Sequence, residues 1–520
     1  MITVKGENLL GAWRSPLRGV LRGLPPYALP EDALYDGFNV ALREGALVPR
    51  PGITQFNPQS LGRRVTGAIA IAALGSAAFD PASFENTAFV VTTGAGSMLV
   101  AATARKVWAF YGGSWHDITG SALTAGDHDF ARMTGIQIGS NIFVVISNGV
   151  DVPRSWDSVA ATTSTISGSP PKWTDVTTAS DRIIGIVPPY TVQWGNALDL
   201  STWPSLNFRT LADTLDKVVA VRNLGTLGVV VYKERSIWIG QPGGQTNATY
   251  FAFTIRGFWD GPASPAAVVD VDGAHYYMTD IGRVGYFDGA RQDWVADGVW
   301  PQVKKDLDQL YAKHIHGVFD PQAREVNFYY PRLGDAGLCK GLVSIKVPNK
   351  AEGLAEPIAF RGALGVAISV GLDNRTDTRQ TLLFDDATKR ALSINPVPGG
   401  LDDVMTFSGF WQHGFINVPS FDPHRLEGFE VFAERGPGYG LLRAKVVKND
   451  LLEDPNAQAA VSSQDIDLAE IVPSQPRGGD VTGRFLAVRF EFTTPITLRY
   501  YGARLAARRI EPGAPLGRVA

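Results

Sequence analysis

A short apolar β-run that reaches a glycine and is answered by a tryptophan a few residues later recurs along this chain. It reads Val107-Trp108-Ala109-Phe110-Tyr111-Gly112-Gly113-Ser114-Trp115 in one place and Ser236-Ile237-Trp238-Ile239-Gly240 in another. A third copy is Val284-Gly285-Tyr286-Phe287-Asp288-Gly289, followed by Trp294. β-Branched and aromatic side chains suit a pleated, buried surface, and glycine supplies the positive φ of tight turns. Repetition of such units restricts the chain to an all-β fold made of many short hairpins. Trp108, Trp238 and Trp294 are then expected between sheets. With 520 residues the chain exceeds what one core fills, so more than one domain is expected.

The sequence divides by texture. Residues 1–60 read as an N-terminal arm, broken by Pro25, Pro26 and Pro30 and ending in a hairpin. Its strands are Phe38–Leu42 and Ala46–Pro49, its turn is Glu44-Gly45, and Arg50-Pro51-Gly52 closes it. Residues 61–400 carry dense strand signals such as Gly228-Val229-Val230-Val231-Tyr232 and Glu325-Val326-Asn327-Phe328-Tyr329-Tyr330. Asp272-Gly273 marks a type I′ turn. At about 45 residues per four-stranded blade, this body is expected to be an irregular β-propeller of six or seven blades, with a pair of β-sandwiches as the competing architecture. One helix is expected over Pro301–Lys313, from the spacing of Val303, Leu307, Leu310 and Tyr311. Residues 401–507 read as a β-sandwich, because strands such as Phe485–Phe492 alternate apolar and charged residues. Residues 508–520, rich in proline and glycine, read as an extended tail.

Charge and cysteine usage exclude some functions. A net charge of −3 gives no global nucleic-acid footprint. The single cysteine, Cys339, allows no intrachain disulfide. The start of the chain lacks the apolar core of a signal peptide, and the apolar stretch Ala68–Ala78 is too short to span a bilayer. A soluble protein without membrane insertion, made in a cytoplasm, is expected.

Few residues suggest chemistry. His314 and His316 would share a face on a strand, but no third ligand stands at a metal spacing. Asp270-Val271-Asp272-Gly273 resembles the start of a calcium loop and equally a hairpin turn. A propeller glycosidase would need a carboxylate pair, and Asp199, Asp213, Asp216 and Asp280 supply candidates without a pattern. No nucleophile elbow, phosphate loop or dinucleotide fingerprint is present. No catalytic, cofactor or metal residue is assigned, and the chain is read as a non-enzyme. The interaction candidates are basic: Arg14, Arg18 and Arg22, four residues apart as on a helix, and Arg504, Arg508 and Arg509 near the end. Such a face would meet nucleic acid, an acidic subunit, or only solvent.

The order of several segments resembles a known group. The pattern Asn39-Val40, Glu44-Gly45, Leu47, Arg50-Pro51-Gly52 is similar to the opening of β-rich virion proteins of tailed bacteriophages. Trp108–Thr119 resembles their repeated hairpin. Trp194-Gly195-Asn196 with Leu198–Trp203, then Val218–Gly240, resembles a further block. So do His316–Tyr330 and the pair Arg425–Phe432 and Arg484–Phe492. The resemblance is to the tail nozzle, or tail tubular, group of short-tailed phages. It implies a structural virion protein, assembled in the host cytoplasm, that forms a ring, commonly of six, below portal and adaptor. The ring would continue and close the DNA ejection channel, carry tail fibres or spikes, and let viral double-stranded DNA pass without specific binding. A carbohydrate-active or carbohydrate-binding propeller at a tail tip, or a tail-tip protein of a long-tailed phage, are the alternatives.

Overall fold

A run that is apolar at every position must be buried on both faces, and Val229–Tyr232, in the strand Val229–Lys233, shows how this chain arranges that. Val229 and Val231 join one apolar cluster, with Ile184, Val192 and Trp194, while Val230 and Tyr232 join another, with Tyr277 and Phe287. Each sheet is thus the wall between two cores, which is the packing of a propeller. The computed structural model describes residues 9–14, 16–21, 28–72, 97–244, 246–348, 356–372, 381–398, 401–402, 405–413, 424–435, 441–449, 462–467, 482–483, 485–494 and 498–509.

Blade 1 holds strands Val65–Ala72, Ser97–Thr103, Val107–Tyr111 and Ser114–Asp117. Blade 2 holds Arg132–Ile138, Asn141–Ser147, Arg154–Trp156 and Ser164–Thr165. Blade 3 holds Asp175–Ala179, Arg182–Val187, Thr191–Trp194 and Phe208–Thr210. Blade 4 holds Val218–Asn223, Val229–Lys233, Ile237–Pro242 and Phe251–Gly257. Blade 5 holds Val268–Val271, Ala274–Met278, Val284–Phe287 and Gln292–Val295. Blade 7 is completed by the N-terminal segment: Ile368–Leu372, Leu382–Asp385 and Ala391–Pro398 take Pro51–Gln55 as their outer strand.

These six are separate four-stranded sheets. Blade 6 differs. Its strands His316–Asp320, Glu325–Pro331, Cys339–Lys346 and Ile358–Ala363 are the first four of a nine-stranded sheet. Among the described residues one apolar cluster fills each of the seven seams between neighbouring blades, so the ring is closed. The expected propeller is therefore present.

The nine-stranded sheet continues through Asp36–Phe38, Ser408–Gln412, Phe485–Thr493, Leu441–Asn449 and Ser462–Asp467. Asp36–Phe38 is the splice: it runs parallel to blade 6 at Arg361 and antiparallel to Ser408–Gln412. A second sheet combines Val40–Arg43 and Ala46–Pro49 with Leu498–Arg509, His424–Arg435 and Thr482–Gly483, and Leu9–Arg14 pairs along Leu498–Arg509. Trp411 of the first sheet meets Tyr500 of the second at 5.0 Å between ring centroids, and His413 and Tyr500 share a 2.6 Å hydrogen bond. These two sheets pack against each other through those rings. The segment read as an arm is woven through both bodies, and the strand Leu498–Arg509 runs two residues into the expected tail. Residues 510–520 lie outside the described part.

Two local expectations need correction. The helix over Pro301–Lys313 is two pieces, an α-helix at Trp300–Asp306 and a 3-10 turn at Gln309–His314. Leu307 turns extended (φ −68°, ψ 127°) and the Asp308 carboxylate accepts the Leu310 N–H, starting a new turn. Of the three marker tryptophans, Trp238 is 4% exposed, but Trp108 and Trp294 are only half-buried. Cations cover them instead, Lys106 at 5.2 Å and Arg283 at 4.3 Å from the ring centroids. Trp115, Trp156, Trp173 and Trp194 fill the seams.

The glycine half of the repeat has its own cause. Gly285 pairs across the strands with Tyr277, and Gly341 with Tyr330. A Cβ on either glycine would fall 2.3 Å or 2.5 Å from the facing ring, so the ring lies over bare backbone. Gly240 with Phe253 and Gly409 with Phe492 repeat the arrangement.

Candidate functional site

The junction of propeller and sandwich is built from the Asn39–Gly52 segment. Asn39 leaves its strand with φ 56°, a conformation asparagine tolerates. Its Oδ1 accepts from Ala363 N at 2.9 Å and from Arg50 Nε at 3.0 Å, and its Nδ2 donates to Ser408 O at 2.6 Å. Glu44 and Gly45, with φ 49° and 75°, make the two-residue hairpin turn. Arg50 then forks onto Asp402 at 2.8 and 2.5 Å and donates to the Ala363 carbonyl at 2.9 Å. Its guanidinium lies 3.7 Å from the Phe407 ring centroid. Arg50 and Asp402 are 4% and 0% exposed, so one guanidinium rivets blade 6, blade 7 and the sandwich. Beneath it lies a mostly apolar cavity of ≈ 30 Å³, bordered also by Asp320, Asn327 and Tyr329.

Similar ion pairs stitch the seams. Asp175, fully buried at the start of blade 3, accepts from Arg132 of blade 2 at 3.1 Å and from Arg222 of blade 4. Burial beside a second guanidinium pulls Arg132 down to about 10. Arg64, just before blade 1, pairs with Asp386 of blade 7 at 3.0 Å. Sequence reading missed these partners; the signal that was available is an arginine at or beside an end of an inner strand.

The basic candidates do not form the expected helix. Arg14 ends a strand, and Pro16–Gly19 is a turn closed by the Gly19 N–H donating to the Pro16 carbonyl. Arg14 and Arg18 are exposed but pair with Glu31 at 3.3 Å and Asp32 at 3.2 Å. Arg22 lies outside the described residues. Register brings the two ends of the chain together: Arg14 stands opposite Gly502 and Ala12 opposite Arg504. Arg508 and Arg509 stand opposite Arg425 and His424. The sheet therefore brings Arg14 of the first group to the strand that carries Arg504, without a helical face.

The chemical candidates serve structure. His314 ends the 3-10 turn and His316 opens blade 6, so they do not share one strand. Their Nδ1 atoms donate to Gly337 O at 2.8 Å and His314 O at 3.0 Å, and His128 stacks on His314 at 4.6 Å. The Cys339 thiol donates to His314 O at 3.3 Å, and burial pushes it up to about 12, too high for a nucleophile. Asp272 (φ 52°) and Gly273 (φ 82°) form the hairpin turn, with Asp272 paired to Arg324. Asp199 accepts the Ser201 N–H at 2.7 Å, and Asp216 accepts from Arg235 N and Ser236 Oγ. Asp213 and Asp280 are exposed. Among the described residues no group of three or more His, Cys, Asp or Glu could hold a metal ion. No described helix is long and apolar enough to cross a membrane.

Buried neutral imidazoles set a pH dependence. His275 accepts from the Tyr232 hydroxyl at 2.9 Å and donates to Asn223 O at 3.0 Å. Burial draws His275 and His316 down to about 4 from 6.5. The unfolded chain takes up these protons first, so their contribution is present above pH 6.5 and is lost as pH falls towards 4. Each is worth roughly 3 kcal/mol at most. Thermal melting should drop steeply between pH 6.5 and 4.5, and His275→Gln should flatten that drop.

No protein-family model matches the chain, and no curated protein matches it. Among solved structures the chain is similar to the WD40 β-propeller domain of Doa1, with 9% sequence identity and a TM-score of 0.37, over 66% of this chain and 97% of that one. The β-propeller assignment rests on the sheets and seams described above.

Proposed function

We propose that this chain is a structural virion protein, a tail nozzle subunit that assembles into a closed ring of about six copies below portal and adaptor and continues the DNA ejection channel. The observation that carries the reading is the nine-stranded sheet, which makes blade 6 and the sandwich one rigid piece. A ring subunit has to hold two different surfaces at a fixed angle, and closed cyclic assembly needs that angle to be reproducible. Asn39 and Arg50, which belong to the first of the segments whose order carries the resemblance, help to build this junction. Described carboxylates are mostly committed to turns and ion pairs, as a scaffold requires. DNA passing such a ring without being gripped accords with a net charge of −3. Light scattering and negative-stain microscopy of the purified chain should show a closed ring with a central opening. A chain that stays monomeric at micromolar concentration and hydrolyses a glycan would overturn the proposal in favour of an enzyme.

A further inference from the structure

A cleft of ≈ 800 Å³ opens between blades 5 and 6. That volume lies in the range of small-molecule sites, and the cleft borders the apolar cluster that fills this seam. Its blade-5 wall is a cross-strand row, Tyr276 opposite Tyr286 and Tyr286 opposite Asp293. The strand alternation sends Tyr277 and Trp294 to the other face, against blade 4. Tyr276 is buried and meets Tyr286 edge-on at 5.3 Å, which leaves Tyr286, half-buried, as the aromatic surface of the cleft. The rim is charged but paired. Arg324 holds Asp272 at 2.6 Å, Arg291 holds Asp293, and Glu356 and Pro357 stand on the blade-6 side.

These features select a ligand. Among the described lining residues three carboxylates stand against two guanidiniums, a slight negative excess that disfavours phosphate, nucleic acid and acidic glycans. Paired Arg and Asp side chains still offer donors and acceptors side by side without demanding a counter-charge. An aromatic ring below them suits a ligand with an apolar face and hydroxyls around its edge. We propose that the cleft binds a neutral carbohydrate, with one sugar ring on Tyr286 and its hydroxyls bridging to Asp293 and Arg324. This goes beyond the ring proposal and does not depend on it, since binding is read on the subunit whatever its assembly.

The test is calorimetric titration of the full chain with maltotetraose, cellotetraose and tetra-N-acetylchitotetraose, with heparin as the acidic comparison. At least one neutral oligosaccharide should bind saturably and heparin should not. Tyr286→Ala should weaken that binding about tenfold or more. Arg324→Gln, which removes the partly exposed rim pair with Asp272, should weaken it in the same direction. Three results would each overturn the proposal: no saturable binding to any neutral probe, binding unchanged in both variants, or saturation by a peptide of residues 508–520 with none by the sugars.

Discussion

Replacing Arg50 by alanine should lower the unfolding free energy by about 3–5 kcal/mol, the cost of leaving one member of a buried ion pair alone. Asp402 would keep its burial and lose both hydrogen bonds from the guanidinium, retaining that from the Gly365 N–H at 2.8 Å. The Ala363 carbonyl and the Asn39 side chain would lose a donor in the same step. Urea titration followed by tryptophan fluorescence would measure this as a shift in midpoint. Arg50→Lys should fall between, because an ammonium keeps the charge but cannot fork onto both carboxylate oxygens while reaching Ala363. A loss below about 1 kcal/mol for Arg50→Ala would show that the junction is held by packing alone.

Removing residues 1–57 should abolish cooperative folding altogether. The deletion takes the outer strand of blade 7, the splice strand Asp36–Phe38 and the hairpin Val40–Pro49 in one cut. Leu34, Val40, Leu42, Leu47 and Ile53, each 3% exposed or less, leave cavities or bare surface in three sheets. Blade 7 would also present an unpaired edge at Ala391–Pro398, a site for aggregation. The truncated chain should lose its near-ultraviolet circular dichroism and become insoluble. If it instead melted in one transition within a few degrees of the intact chain, the N-terminal strands would be accessory.

What could be read from the sequence follows the range of the interaction behind each feature. Glu44-Gly45 and Asp272-Gly273 were legible because two adjacent residues with positive φ determine a hairpin turn. Val229–Tyr232 was legible because a strand walled by two cores has no polar face to interrupt it. The broken helix was not, since the Leu307 kink is fixed by pairing with Arg332 and not by the helical spacing of its neighbours. Nor was the exposure of Trp108 and Trp294, which depends on where each stands along a seam. The Asp175 clasp joins three blades, and no local pattern announces partners 43 and 47 residues away. Arg14 and Arg504 lie at opposite ends of the chain, and only the strand register brings them near. Of the described basic candidates, Arg14 and Arg18 turned out to be matched by Glu31 and Asp32, carboxylates that follow the intervening proline segment.

The closure of blade 7 also has a place in time. Thr54 and Ser393, whose hydroxyls meet across that closure, are 339 residues apart in the chain. A ribosome therefore releases one half of the clasp early and the other only after nearly the whole ring has been translated. Over that interval the newborn chain carries a strand with no partner, while successive blades stack behind it. The ring cannot be finished blade by blade from its beginning. Its last event joins a strand made before the other blades to one made after them, and that event should limit the rate at which the ring matures.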